Sequence, residues 1–235
     1  FAAVGTVRNA SNSDVFYAEF APNGSMLSYV DVTSTPGFER EHVNDFISLS
    51  SGELMWAGYK ITPPQAGGAR RRVMVSKFDN CNGPSFQHRE YEIQTAAGVQ
   101  QAEAASVIEL IAPLPGQPNA KYVLTGQAGR EVFLLFLGAN LSPVGSALTY
   151  DVDSNPSTSE GGVRIRRNGD DLFIVGNGAD FTGILGSSDE RIFLLKLRFQ
   201  GQQGIPQASA YLYNLPGLGE QVVDMELNSS GELIL

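Results

Sequence analysis

Residues 44–61 read NDFISLSSGELMWAGYKI. Phe46, Ile47 and Leu49 mark one apolar strand, Ser51 and Gly52 a turn, and Leu54 to Tyr59 a second strand with Gly58 near its end. Turn formers set between two short apolar runs are the sequence pattern of an antiparallel hairpin. Related runs return at residues 107–127 (VIELIAPLPGQPNAKYVLTGQ), 163–178 (VRIRRNGDDLFIVGNG) and 222–235 (VVDMELNSSGELIL). Recurrence of one supersecondary pattern is the signature of a repeat architecture, and the rest of the chain is read around it.

Each copy follows a further pair of strands. Their first members, DVFYAEF (14–20), RVMVSKF (72–78), EVFLLFL (131–137) and RIFLLKL (191–197), align without gaps. The columns are Val15/Val73/Val132/Ile192, Phe16/Met74/Phe133/Phe193 and Phe20/Phe78/Leu137/Leu197. Near-continuous apolar strands of this kind predict burial on both faces. The penultimate column, Glu19/Lys77/Phe136/Lys196, is mostly charged and belongs at a strand end or beside a water-filled channel. Gly/Asn-rich turns follow, then alternating second strands in which Tyr29, Tyr91, Tyr150 and Tyr213 hold matching places.

The predicted unit is therefore a four-stranded antiparallel meander returning about every 50–65 residues, the period of propeller blades. The copies span 14–61, 72–127, 131–178 and 191–235. The opening FAAVG supplies an extra strand, with Gly5 matching Gly58, Gly126 and Gly176. The expected fold is an all-β propeller of four full blade repeats plus that strand, forming part of a larger ring. In a closed ring of four, residues 1–5 would duplicate residues 232–235. FAAVG and ELIL both read as strand interior, so the expectation is a processed product or a portion of a longer polypeptide.

The pattern resembles the repeats of bacterial secreted β-propeller proteins. RIFLLKL carries it best, and DVFYAEFAPNG with NDFISLSSGELMWAGY carries it in the first copy. Copies two and three depart from it, with longer hairpin turns and no regular Asp-Gly. The resemblance implies a secreted or surface-exposed module of a larger assembly and is specific for fold alone.

At 235 residues, 42% hydrophobic and 17% charged, the chain can bury a sizeable core. A net charge of −9 lacks the basic field of a nucleic-acid binder, and no apolar run has the length of a transmembrane helix. The single cysteine, Cys81, leaves no intrachain disulfide and reads as an exposed thiol in a hairpin turn, with pairing to another chain as the alternative.

The candidate chemical sites each have a plainer alternative. Asp151, Asp153 and Asn155 offer alternate oxygen ligands that suit Ca²⁺. Pro156 and Gly162 stand where a calcium loop needs Gly and Glu, so the reading is a polar turn with metal binding as its rival. His42 and His88 have no nucleophile motif at useful spacing and read as surface side chains. Glycines 176, 178, 183, 217 and 219 read as turns, since no Gly-Lys-Ser/Thr follows them. Arg70–Arg72 and Arg164, Arg166 and Arg167 suit anions, with solvated charge as the plainer reading. Trp56 with Tyr59 offers a sugar-stacking surface, but Trp56 aligns with Leu124 and with Ile174 or Val175, which favours packing. Asn9, Asn23, Asn140 and Asn228 begin glycosylation sequons.

No catalytic, cofactor or metal residue is assigned. The functional expectation is a non-catalytic extracellular module that binds a protein or glycan through the connections 62–71, 94–105 and 153–162. A propeller-fold glycan hydrolase or lyase with a central-channel site is the alternative.

Overall fold

The computed structural model describes residues 2–8, 13–31, 40–62, 70–78, 86–152, 158–180, 190–201, 204–213, 222–228, 230 and 232–234. Among them the chain is all-β, with strands and turns and no helix. The strands β1 (Ala2–Arg8), β2 (Ser13–Phe20) and β3 (Met26–Asp31) form sheet I. Sheet II is a meander of β4 (Arg40–Ser48), β5 (Leu54–Ile61), β6 (Arg71–Phe78) and β7 (Phe86–Tyr91). One parallel bridge, Ser13 to Arg40, joins these two through the path β1-β2-β4-β5-β6-β7, with β3 branching off β2 as the seventh strand.

A small hairpin, β8 (Ile93–Thr95) with β9 (Gly98–Gln100), leads onward. Sheet III comprises β10 (Ala102–Glu109), β11 (Tyr122–Ala128), β12 (Glu131–Leu137) and β13 (Leu148–Tyr150). Sheet IV comprises β14 (Thr158–Asn168), β15 (Asp171–Asp180), β16 (Glu190–Arg198) and β17 (Gln207–Tyr213). A short pair, β18 (Glu226–Leu227) and β19 (Leu233–Ile234), follows.

Sheets II, III and IV are each offset by two strands from the sequence copies. The hairpin that opens a sheet comes from one copy, and the two strands that finish it come from the next; β10 and β11 of the copy 72–127, for example, pair with β12 and β13 of the copy 131–178. Neighbouring copies are therefore laced together by backbone hydrogen bonds as well as by packing.

Period-two alternation then assigns every central side chain to one neighbour or the other. In sheet III, Leu124, Phe133 and Leu135 pack on Met55, Ala57, Val73 and Val75 of sheet II. Val123, Val132, Leu134 and Phe136 turn the opposite way, onto Ile165, Leu172, Ile174 and Phe193 of sheet IV. Trp56 and Met74 point from sheet II toward Val15 of sheet I, and Val175 from sheet IV toward Val222 and Met225. The four sheets and the 222–234 segment are thus stacked in chain order, and the inner sheets bury both faces.

The glycine column has a backbone cause. In sheets II, III and IV the first strand bulges at equivalent places, between Val43 and Asp45, Ala104 and Ser106, and Gly162 and Arg164. Gly58, Gly126 and Gly176 pair with Val43, Ala104 and Gly162, on the near side of each bulge. A Cβ at these glycines would lie 1.8, 2.0 and 2.1 Å from the carbonyl oxygens of His42, Glu103 and Gly161. Each glycine pairs on its other side with the second apolar column, Met74, Phe133 or Phe193. Gly5 pairs likewise with Phe16, whose ring lies 2.7 Å from where a Cβ would stand.

The tyrosine column holds in three copies. Tyr91, Tyr150 and Tyr213 pair with Val73, Val132 and Ile192, whereas Tyr29 faces Ala18. A tight connection brings Met26 opposite Phe20, so turn length resets the register. Gly176 and Gly178 lie inside β15, correcting their reading as turns.

Candidate functional site

The first strands β4, β10 and β14 lie side by side, followed by residues 222–228, and polar groups tie each to the next. Asp45 accepts hydrogen bonds from Ser106 Oγ at 2.8 Å and from the Val107 amide at 3.0 Å. The bulge residue Asn44 donates from Nδ2 to the Ala104 carbonyl at 2.7 Å. Arg164 on β14 reaches back to the Ala105 carbonyl and forward to Asp224 at 2.9 Å. Arg166 meets Glu226 at 2.8 Å. Arg167 donates to the carbonyls of Gly169, Ala112 and Pro113. This wall of first strands presents mixed charge, with Asp224 and Glu226 its more exposed members.

A second cluster sits at one end of the sheet II–III boundary. Ser50 donates its amide and hydroxyl to Glu109, each at 2.7 Å, and Lys121 meets the same carboxylate at 3.0 Å. Ser51 and Lys77 hold Glu53 in the same way. Burial raises the pKa of both carboxyls, but hydrogen bonds from Ser51 and Lys77 to Glu53, and from Ser50 and Lys121 to Glu109, outweigh it and leave both below their usual value. Burial, with these two charges nearby, pushes Tyr122 up to about 12. A glycosidase acid–base pair needs one carboxyl held up and the other down. Both carboxylates are pulled the same way, each held by a lysine and a serine hydroxyl.

Between sheets I and II lies a third group. His88 contacts Ser76 Oγ through Nδ1 at 3.0 Å and Glu90 through Nε2 at 3.6 Å. Lys60 joins Glu90 at 3.0 Å to the buried Glu41 at 3.6 Å. A hydrogen bond from His88, with Lys60 behind it, holds Glu90 at about 2 against the opposing effect of burial. The order Ser–His–Glu has the connectivity of a hydrolytic relay, but Ser76 is 0% exposed in β6. The group is a part-buried polar tie anchored on the buried Ser76, and His88 belongs to it instead of to the open surface. His42 is also engaged: its ring stacks on Tyr59 at 4.7 Å, and Arg71 lies 4.6 Å over the Tyr59 ring while pairing with Glu103.

The remaining sequence candidates divide by burial and by partner. Trp56 is fully buried and tilts against Phe78 at 6.4 Å, a packing residue. Arg70 and Arg72 pair with Glu92, and Arg72 also with Glu90, so this arginine run is paired charge. The penultimate column is tied at strand ends: Lys77 to Glu53, Lys196 to Asp171, and Glu19 accepting from the Tyr17 hydroxyl.

Three sequon asparagines share one local role. Asn23, Asn140 and Asn228 each accept, through Oδ1, the amide of the serine two residues on. That Asx turn explains the Asn-x-Ser pattern without reference to glycans. Asp151 is exposed, while Asp153 and Asn155 lie outside the described residues, as do Asn9, Cys81, Gly183, Gly217 and Gly219. Among the described residues no group of three or more His, Cys, Asp or Glu is placed to hold a metal ion, and no helix is long and apolar enough to cross a membrane.

The Asp45–Ser106 tie, the Glu53–Glu109 cluster and the Ser76–His88–Glu90 group are invisible to spacing. Their members lie on different strands, and only Ser51/Glu53 and His88/Glu90 show the two-residue interval of a shared strand face or turn. The chain matches no protein-family model, and no curated protein matches it at a significant level.

Proposed function

We propose that the chain is an arc of β-propeller blades serving as a non-catalytic binding module of a secreted or cell-surface assembly, taking a protein or glycan partner on the connections between sheets. The propeller reading is supported by four-stranded meanders stacked in chain order, with first strands adjacent and a glycine-paired bulge repeated in each. The observation that carries the binding role is where the polar groups are used. Asp45, Glu109, Arg164 and Arg166 each brace one sheet against the next. Side chains used as struts give a stiff frame, and recognition then falls to the connections that the frame holds in place.

Of the three connections singled out by the sequence, residues 63–69 and 153–157 lie outside the described residues, and residues 158–162 belong to β14. The third carries the β8–β9 hairpin, whose tip turns through Gly98 at φ +100° and leaves Val99 48% exposed. Electrophoresis through polysaccharide-laced gels, paired with a reducing-end assay, tests the reading. Retardation without release of new ends, lost on Val99→Asp in a folded protein, is expected. Release of reducing ends that Glu109→Gln abolishes would overturn it in favour of a hydrolase.

A further inference from the structure

The outer strands of the sheets differ in how they guard their free edges. An edge strand displays unpaired N–H and C=O groups, and proteins blunt such edges with charge, brevity or bulges. The last strand of sheet II, β7, carries His88, Arg89 and Glu90. In sheet III, β13 is only three residues long. In sheet I, β3 ends on Asp31 and its register to β2 is broken between Glu19 and Phe20.

None of these devices protects β17. Its seven residues, QASAYLY, include no charge and no proline, and all seven are exposed. It pairs with β16 in unbroken register from Arg198–Gln207 to Ile192–Tyr213, and among the described residues no strand pairs with its other edge. Tyr211, Leu212 and Tyr213 are 50%, 47% and 47% exposed, an apolar load that the charged β7 does not present.

We propose that β17 is a self-pairing edge, by which two copies of the chain join antiparallel about Ala210 and continue one four-stranded sheet into the other. The sequence is matched to its own reverse at that centre. Gln207 falls opposite Tyr213 and Ser209 opposite Tyr211 on one face; Ala208 falls opposite Leu212 on the other, with Ala210 opposite itself. Every large side chain meets a smaller one, and no like charges meet. The two Tyr211 rings become diagonal neighbours at about 7–8 Å, within aromatic reach.

Area and charge set the strength. One strand edge of this length falls short of the roughly 1,000 Å² that a durable interface buries, so the dimer is weak, with a Kd of the order of 0.1 mM. Each copy carries −9, and their repulsion is screened by salt. Association therefore strengthens as ionic strength rises.

Sedimentation equilibrium from about 10 μM to 1 mM tests this. The expected result is a mass rising toward the dimer, more steeply at high salt. Ala210→Lys, which sets two ammonium groups face to face, should weaken association at least tenfold and leave the melting curve unchanged. Leu212→Lys serves as the second variant should the first not fold, and Val30→Lys on β3 should have no effect. A monomer throughout the range, a dimer untouched by both β17 variants, loss of the dimer in Val30→Lys, or association that weakens with salt would each overturn the proposal.

Discussion

Gly126→Ala is the sharpest test of the bulge-and-glycine device. The added Cβ would stand 2.0 Å from the Glu103 carbonyl oxygen, 2.9 Å from Ala104 Cα and 3.0 Å from the Ala105 nitrogen. Carbon and oxygen settle at about 3.3 Å, so β10 must retreat by about 1.3 Å. These neighbours are backbone, and Ala104 is fully buried between sheets II and III, which leaves the bulge nowhere to go. Overpacking of this kind costs about 1–3 kcal/mol, and each ladder hydrogen bond lost adds about 1 kcal/mol. Replacing a strand glycine returns about 0.5–1 kcal/mol through the unfolded chain. With one such bond lost the net loss is about 1–3.5 kcal/mol, read as a lower urea midpoint at unchanged slope and a Tm lower by roughly 2–14 °C. Gly178→Ala is the control: its nearest neighbour is the Glu160 Cγ at 3.7 Å, an ordinary contact distance, and it should stay within about 0.5 kcal/mol of the parent. A Gly126→Ala protein as stable as its Gly178→Ala counterpart would refute the steric account.

Trp56, the only tryptophan, is fully buried, so its emission should be blue-shifted and shielded from acrylamide until unfolding; Trp56→Ala should cost about 3–5 kcal/mol by denaturant titration. Asp45→Ala strands the Val107 amide as well as the Ser106 hydroxyl and should cost about 1.5–3 kcal/mol, while the double variant with Ser106→Ala falls short of the sum. Strict additivity would show that the two do not act together. Acid stability should trace most to the two most depressed carboxylates. Arg198, at 2.7 and 2.8 Å and aided by Lys196, lowers Asp171 from 3.8 to about 2, and His88 with Lys60 lowers Glu90 from 4.5 to about 2. Groups depressed in the folded state stabilise it above their unfolded pKa and lose that contribution as pH falls through the folded one. Thermal melts between pH 4.5 and 2 should therefore fall less steeply for Asp171→Asn with Glu90→Gln than for the parent.

Local chemistry made much of the architecture legible. The apolar columns set Val73, Val132 and Ile192 toward the following sheet and Met74, Phe133 and Phe193 toward the preceding one, because side chains alternate along any strand. The glycine column was equally readable as a position, since a missing Cβ leaves its mark in the sequence itself. Its cause was not readable, because the carbonyl that excludes a side chain at Gly126 belongs to Glu103 on another strand.

Long-range pairing decided the remainder. A repeat gives no indication of where one sheet ends, so the two-strand offset between copies and sheets emerges only when β11 finds β12. Turn length moved Tyr29 out of its column. The polar ties depend on meetings between residues such as Asp45 and Ser106, which are sixty-one positions apart. Sequence order fixes periodicity, turn chemistry and the need for a missing side chain, because these act within a few residues. Which charge braces which sheet, and which edge is left unpaired among the described strands, are set by the stacking of whole sheets, since burial and pairing exist only once distant strands have come together.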